Sequence, residues 1–179
     1  FFNYYLKDEG PWASTSAEAI VFETGSNVWE TYDTWPPAGT ESAALYFHPN
    51  GRLSFEPPTD SSGDAYDEYV SDPAKPVPFS SEIRTTQGHE WMIEDQRFAS
   101  TRPDVLVYQT EVLTEDVTLA GPILATLFAS TSGTDSDWIV KLIDVYPGDA
   151  VGQACPVPMS DFQMLLAGEV FRGKFRNSY

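Results

Sequence analysis

Apolar and polar positions alternate most regularly in the second half of the chain. Val105, Val107 and Gln109 interleave with Leu106, Tyr108 and Thr110, and Val117 to Ala120 follows; after the Gly121-Pro122 interruption, Ile123 to Ser130 and Trp138 to Tyr146 form two long apolar runs. A two-residue period bounded by turn residues predicts strands. Earlier, Ala19 to Glu23 predicts a short strand, Gly25 to Asn27 a turn, and an aromatic-rich segment runs on to Pro36 and Pro37. Ala44 to His48, Pro49-Asn50-Gly51 and Arg52 to Phe55 predict a hairpin, because an Asn-Gly pair takes the positive φ angles a tight turn needs. Residues 56–81 are rich in Pro, Ser, Asp and Gly, nearly without a period, and read as a long ordered loop or crossover.

At the end of the chain Phe162, Met164, Leu165, Val170 and Phe171, with Arg172, Lys174 and Arg176 alternating beyond them, predict a strand. Gly168 and Gly173 argue against a helix there. At the start, Phe1, Phe2, Tyr4, Tyr5 and Leu6 followed by Lys7 and Gly10 suit a helix end with its capping glycine. The spacing of turn signals is that of an antiparallel β-sandwich.

The strand at Trp138 to Tyr146 contains a conflict. Trp138, Val140 and Leu142 share one face and Ile139, Ile143 and Val145 the other, so it reads as central, yet it carries Lys141 and Asp144 behind Asp135 and Asp137. Lys141 and Asp144 fall on opposite faces and cannot pair with each other. A buried charge without a partner costs several kcal/mol, so each is expected to meet a neighbour, one of them a charge from the Arg102-Pro103-Asp104 region or from Arg172 to Arg176. Asp135 and Asp137 are expected to cap the entry to the strand rather than hold a metal.

The chain has 179 residues, enough for one domain with a core, and shows no internal repeat. Ten basic against 27 acidic residues give a formal charge of −17, which repels nucleic acid and anionic membranes and suits a secreted or salt-exposed protein. A periplasmic or secreted setting is favoured over the cytoplasm. The single Cys155 makes no internal disulfide and excludes a cysteine-rich zinc site. No apolar run reaches the length of a membrane span, and the aromatic start without a basic leader reads as an interior cut in a longer polypeptide.

The usual sequence trace of a hydrolase site is absent, and a self-contained Ser-His-Asp site would have to use His48 or His89. A nucleophile elbow needs Gly-x-Ser-x-Gly, whereas Ser26 after Gly25 and Ser132 before Gly133 both lack the second glycine. Of the two histidines, His48 ends a strand before a turn and reads as structural, and His89, beside Gly88 and Trp91 in a polar loop, is the better candidate to face a ligand. Asp60, Asp64, Asp67 and Glu68 are hard oxygen donors, but their spacing is not that of an EF-hand loop, and they read as turn caps. No metal, no cofactor and no nucleotide loop are expected.

Three stretches taken together, "DEYVSDPAKPVP", the run from "EDQRFASTRPDVLVYQT" to "TDSDWIVKLIDVYP", and "LLAGEVFRGKFRNSY", resemble the C-terminal jelly-roll region of the cocaine esterase and X-prolyl dipeptidyl aminopeptidase superfamily of serine hydrolases. The likeness is nearest to the α-amino-acid ester hydrolases and glutaryl-cephalosporin acylase-like members. "FETGSNVWETYDTWPP" resembles the linker that follows their catalytic domain, and "FFNYYLKDEG" the last helix of that domain. The resemblance implies an all-β jelly-roll sandwich, lacking its final strands, over 61–179, a linker and hairpin over 13–60, and a helical tail of an α/β-hydrolase domain over 1–12.

It also implies that the Ser-Asp-His triad lies in the other domain. No catalytic residue is assigned to this chain, which alone should be inactive, while the parent acts on acyl ester, amide or Xaa-Pro peptide bonds. The implied partner is that catalytic domain, with strand exchange or a homo-oligomer as a second way to cover open strand edges. The irregular loop from Phe79 to Met92, with Phe79, His89, Trp91 and Met92, is the candidate wall of an acyl pocket, ordinary interdomain packing being the alternative. A stand-alone carbohydrate-binding jelly roll using the five tryptophans, or an interaction module without chemistry, are the competing classes.

Overall fold

The computed structural model describes residues 2–9, 17–59, 65–86, 88–151 and 157–177. Among the described residues strands dominate the regular structure and only two short α-helices accompany them, so the chain is of the expected all-β class. Among the described residues the strands form three separate two-stranded antiparallel sheets. No helix among those residues is long and apolar enough to cross a membrane. Backbone contacts divide the chain into two units, Phe1–Ala44 with Leu113–Leu124, and Leu45–Val112 with Ala125–Tyr179.

In the first unit, helix α1 (Phe2–Lys7) stops where Asp8 turns left-handed at φ 53° and the amides of Asp8 and Glu9 return to the carbonyls of Tyr4 and Asn3. Gly10, expected to cap it, lies outside the described residues. Strands β1 (Ala19–Glu23) and β2 (Val28–Tyr32) pair from Ala19 opposite Tyr32 to Glu23 opposite Val28. The turn between them is closed by Asn27 N–H donating to the Glu23 carbonyl at 2.9 Å and by the Ser26 hydroxyl donating to the Glu23 carboxylate at 2.9 Å. β2 is the second strand that the aromatic-rich segment had concealed.

In the second unit, β3 (Tyr46–His48) and β4 (Arg52–Ser54) form the hairpin that Asn-Gly announced. Asn50 and Gly51 sit at φ 63° and 70°. Gln109 docks on this hairpin, its N–H donating to the Gly51 carbonyl and its carbonyl accepting from Leu53 N–H, both at 2.8 Å. Beside it, the rings of Phe47 and Tyr108 lie 4.4 Å apart and the Tyr108 hydroxyl donates to Asp67 at 2.6 Å.

The longest pair is β5 (Asp137–Val145) with β6 (Gln163–Arg172), irregular between Leu142 and Ile143, where Leu166 is the extra residue. β6 ends at Arg172. Gly173 then opens a three-residue 3-10 turn and donates its N–H to the Ser136 carbonyl at 2.9 Å, so Lys174 lies off the strand. Ile139 and its partner Val170 are exposed, so that end of the strand is covered on one face only; further along, helix α2 (Arg97–Ser100) and the loop before it lie over Lys141.

The segments 105–110, 117–120 and 123–130 are not ladder strands. Only Gln109 finds a bridge, and Leu119, Ile123, Leu124 and Phe128 are exposed. An apolar pattern makes a segment fit for a sheet, but the ladder needs a hydrogen-bonded neighbour, and none is present among the described residues.

Candidate functional site

The polar centre of the second unit grows from "EDQRF", residues 94–98. The first turn before it, the 3-10 segment Glu90–Met92, ends with Ile93 and Glu94 donating their N–H groups to the Glu90 carbonyl, which delivers Gln96 inward at 1% exposure. There its amide nitrogen donates to the carbonyls of Glu94 (2.9 Å) and Trp91 (3.4 Å), and its amide oxygen accepts from Lys141 Nζ at 2.6 Å. Its backbone N–H donates to the Gln163 carbonyl at 3.0 Å. One residue thus ties the loop to itself and to the middle of β5 through its side chain, and to the start of β6 through its backbone.

The flanking acids brace that contact. Asp95 accepts the backbone N–H groups of Arg97 (3.1 Å) and Gln163 (3.3 Å) and pairs with the Arg97 guanidinium. Burial alone would raise its carboxyl, but the Arg97 side chain and the two amides outweigh it and hold the group below the usual carboxylate value. Glu94 accepts the Ser81 hydroxyl at 2.7 Å and the Ser81 N–H at 3.2 Å, fastening the far end of the loop. Burial lowers the Lys141 ammonium, the charge of Glu94 partly restoring it, and its Nζ lies 5.5 Å from the Phe98 ring centre.

Chemically this cluster is a fastening. The Ser81 hydroxyl donates to a carboxylate, and the Nε2 of His48 lies 2.9 Å from the Glu56 carbonyl, so that ring is spent on its own hairpin. The Ser80 hydroxyl oxygen is buried with no partner among the described residues. A nucleophile needs a base within hydrogen-bond reach, and no serine–histidine pair occurs among the hydrogen bonds of the described residues.

The four residues expected to wall a pocket are divided. Phe79 lines a shallow hollow of about 240 Å³ with Arg84, Thr85 and Thr86. His89, Trp91 and Met92 lie on the neighbouring 3-10 turn, which Arg84 reaches by pairing with Glu90 at 3.1 Å while also holding Glu82 at 3.1 Å. Glu90 titrates below its usual value through its own backbone hydrogen bonding and then the Arg84 charge. Trp91 is half-buried and held through its carbonyl by Gln96; His89 and Met92 are exposed.

The charged strand resolves differently from the expectation. Arg172 pairs with Asp137, its register partner, at 3.2 Å, and Arg176 pairs with Asp135 at 3.3 Å, while Arg102 is held bidentately by Asp104 at 2.8 and 2.6 Å. Lys141 therefore bonds to an amide, with the Glu94 charge acting on it, rather than to a charge of either expected region, and Asp144 is exposed opposite Met164. Asp135 also accepts the N–H of the adjacent Ser136 at 2.9 Å. Of the suspected metal donors, Asp67 is taken by Tyr108, and Asp60 and Asp64 lie outside the described residues. No group of three or more His, Cys, Asp or Glu side chains converges to hold a metal among the described residues.

Sequence reasoning missed Gln96, Glu94, Asp95 and Ser81. The available signal was Lys141 itself: an ammonium in an apolar strand needs an acceptor, and an uncharged amide inside "EDQRF" is one.

Comparison with known proteins bears on the whole of this arrangement. Residues 11–170 match the family described as X-Pro dipeptidyl-peptidase C-terminal non-catalytic domain. The chain is 33% identical over 153 residues to a cocaine esterase of Rhodococcus sp. (strain MB1 Bresler), covering 82% of this chain and 27% of that protein. It superposes on the crystal structure of an aminopeptidase from a marine sediment archaeon, Thaumarchaeota archaeon, with a TM-score of 0.82 and 41% identity, covering 99% of this chain and 29% of that one. The chain thus spans little more than a quarter of the length of these relatives.

Proposed function

This chain belongs to the family of X-Pro dipeptidyl-peptidase C-terminal non-catalytic domains, and from that membership we propose that it is the accessory β-domain of a serine hydrolase cleaving acyl ester, amide or Xaa-Pro peptide bonds. The domain packs on the α/β-hydrolase domain of the same polypeptide, completes a jelly-roll sandwich with strands from outside residues 1–179, and uses the loop from Phe79 to Met92 as one wall of the acyl pocket. Helix α1 is the tail of the catalytic domain in this reading. Family membership carries the accessory-domain reading, and the observation that supports the wall is the Gln96 cluster. It braces an irregular loop that presents Phe79, His89, Trp91 and Met92, and such bracing is what a precise pocket wall on a loop requires.

The test uses the full-length polypeptide. A fluorophosphonate probe should label a serine outside residues 1–179, and Trp91→Ala should raise KM for bulky acyl groups more than for small ones while kcat changes little, the pattern of lost ground-state binding. A polypeptide that no serine probe labels overturns the hydrolase reading. A KM that changes by the same factor for all acyl sizes in W91A overturns the wall and leaves ordinary interdomain packing for this loop.

A further inference from the structure

Directly opposite residues of an antiparallel pair share a face, so Phe22 with Trp29 and Ile20 with Thr31 point to one side of the β1–β2 hairpin. All four are exposed, Trp29 at 67% and Ile20 at 57%, whereas on the other side Ala19, Val21, Glu23, Glu30 and Tyr32 are half-buried and Val28, beside the turn, is exposed. The same two-residue period puts Glu18 and Asp33, one step beyond the ladder, on the open side. Both are exposed, and neither makes an ion pair among the described residues. The hairpin therefore offers two aromatic rings near its turn and two free carboxylates at its other end.

Three candidate occupants differ in chemistry. Sugar rings stack on flat aromatic platforms, but the Phe22 and Trp29 rings are inclined at 58° with centroids 5.3 Å apart, a relief that suits a side chain better than a pyranose face. A second copy would bring Glu18 and Asp33 against their own kind, and residues 1–44 carry seven carboxylates and one base, Lys7, within a chain of charge −17. A surface with an apolar side chain flanked by arginine or lysine meets both ends at once, its cation pairing with the carboxylates or stacking on Trp29.

We infer that this open hairpin face docks on such a basic-rimmed apolar spot of the α/β-hydrolase domain within the same polypeptide. The inference rests on the reading above that such a domain is present; relatives more than three times as long leave ample chain to supply the spot.

The test places a photo-reactive benzophenone side chain at Thr31 of the full-length polypeptide, identifies the cross-linked peptide by mass spectrometry, and follows oxidation of Trp29 by hydroxyl radicals. The expected result is a cross-link to the hydrolase region at every protein concentration, a Trp29 that resists oxidation, and loss of that protection in Glu18→Lys with Asp33→Lys while far-ultraviolet dichroism is unchanged. A Trp29 as reactive as in the unfolded chain, a cross-link to a second copy that fades on dilution, a cross-link within residues 1–179, or protection that needs added oligosaccharide each overturns it. Failure of serine-probe labelling is read separately, so loss of the hydrolase assignment is not confused with loss of the docking face.

Discussion

Gln96 is enclosed at 1% exposure, which is affordable only because both ends of its amide are used. Lys141→Met leaves the amide oxygen without its donor and should cost about 1–3 kcal/mol. Gln96→Ala should cost more, since it abandons the Lys141 ammonium and the carbonyls of Trp91 and Glu94 and opens a cavity. Urea unfolding that ranks K141M as the more damaging of the two would contradict the geometry. Tyr108 makes a second prediction. Burial first, then the hydrogen bond and charge of Asp67, push its hydroxyl from 10.0 up to about 12. Between those values the folded protein keeps a proton that the unfolded chain has lost, so this contribution is complete below pH 10 and is lost as pH rises towards 12. Lys141 has the opposite sign, because burial lowers its folded value below 10.5 and stability gains as pH rises through that window. Tyr108→Phe should therefore lower stability at neutral pH and flatten its fall between pH 10 and 12, as urea midpoints across that range would record.

At the scale of elements, the β3–β4 hairpin depends on one glycine in two ways. Gly51 sits at φ 70°, where a Cβ costs about 1–2 kcal/mol, and that Cβ would stand 2.8 Å from the Val107 carbonyl oxygen. Gly51→Ala should cost about 2 kcal/mol or more and loosen the Gln109 bridge, whereas Asn50→Gly, at φ 63°, should leave stability nearly unchanged. Equal thermal midpoints for the two variants would show that the turn tolerates a side chain at Gly51. This hairpin was legible beforehand because its signal is local: an Asn-Gly pair between apolar runs. β1, β5 and β6 were legible for the same reason, and so was the need for partners around Lys141. Which partner it found was not, since Gln96 lies 45 positions away and only the fold brings it near. The apolar runs of 105–130 misled for the converse reason: period two reports fitness for a sheet, and pairing is decided by a neighbour elsewhere. Of the residues proposed for a pocket wall, Phe79, Trp91 and Met92 were chosen by type in an irregular loop, but the link between hollow and turn rests on the Arg84–Glu90 pair, which spacing does not encode.

At the scale of the molecule, what stands out is apolar surface left in water. Phe128 is 102% exposed, Leu124 88% and Ile83 105%, although burying one such side chain is worth about 1.5–3 kcal/mol. Lone exposed apolar residues are ordinary, but Ile123, Leu124, Leu127 and Phe128 follow one another along the sequence on a segment without a ladder partner among the described residues, an exposed apolar run with unpaired backbone. Residues 1–179 alone should then self-associate, eluting above the 19.9 kDa of one chain and binding a dye that reports exposed apolar surface. The acidity opposes this association at low salt, so added salt should strengthen it by screening the −17 charge. Leu124→Lys with Phe128→Lys should restore a monomer if this segment is the adhesive one, and joining the chain to the proposed catalytic domain should do so without any substitution. A stable monomer of the unmodified chain at high salt would mean that these side chains find cover within the chain itself, and the case for strands supplied from outside residues 1–179 would go with it.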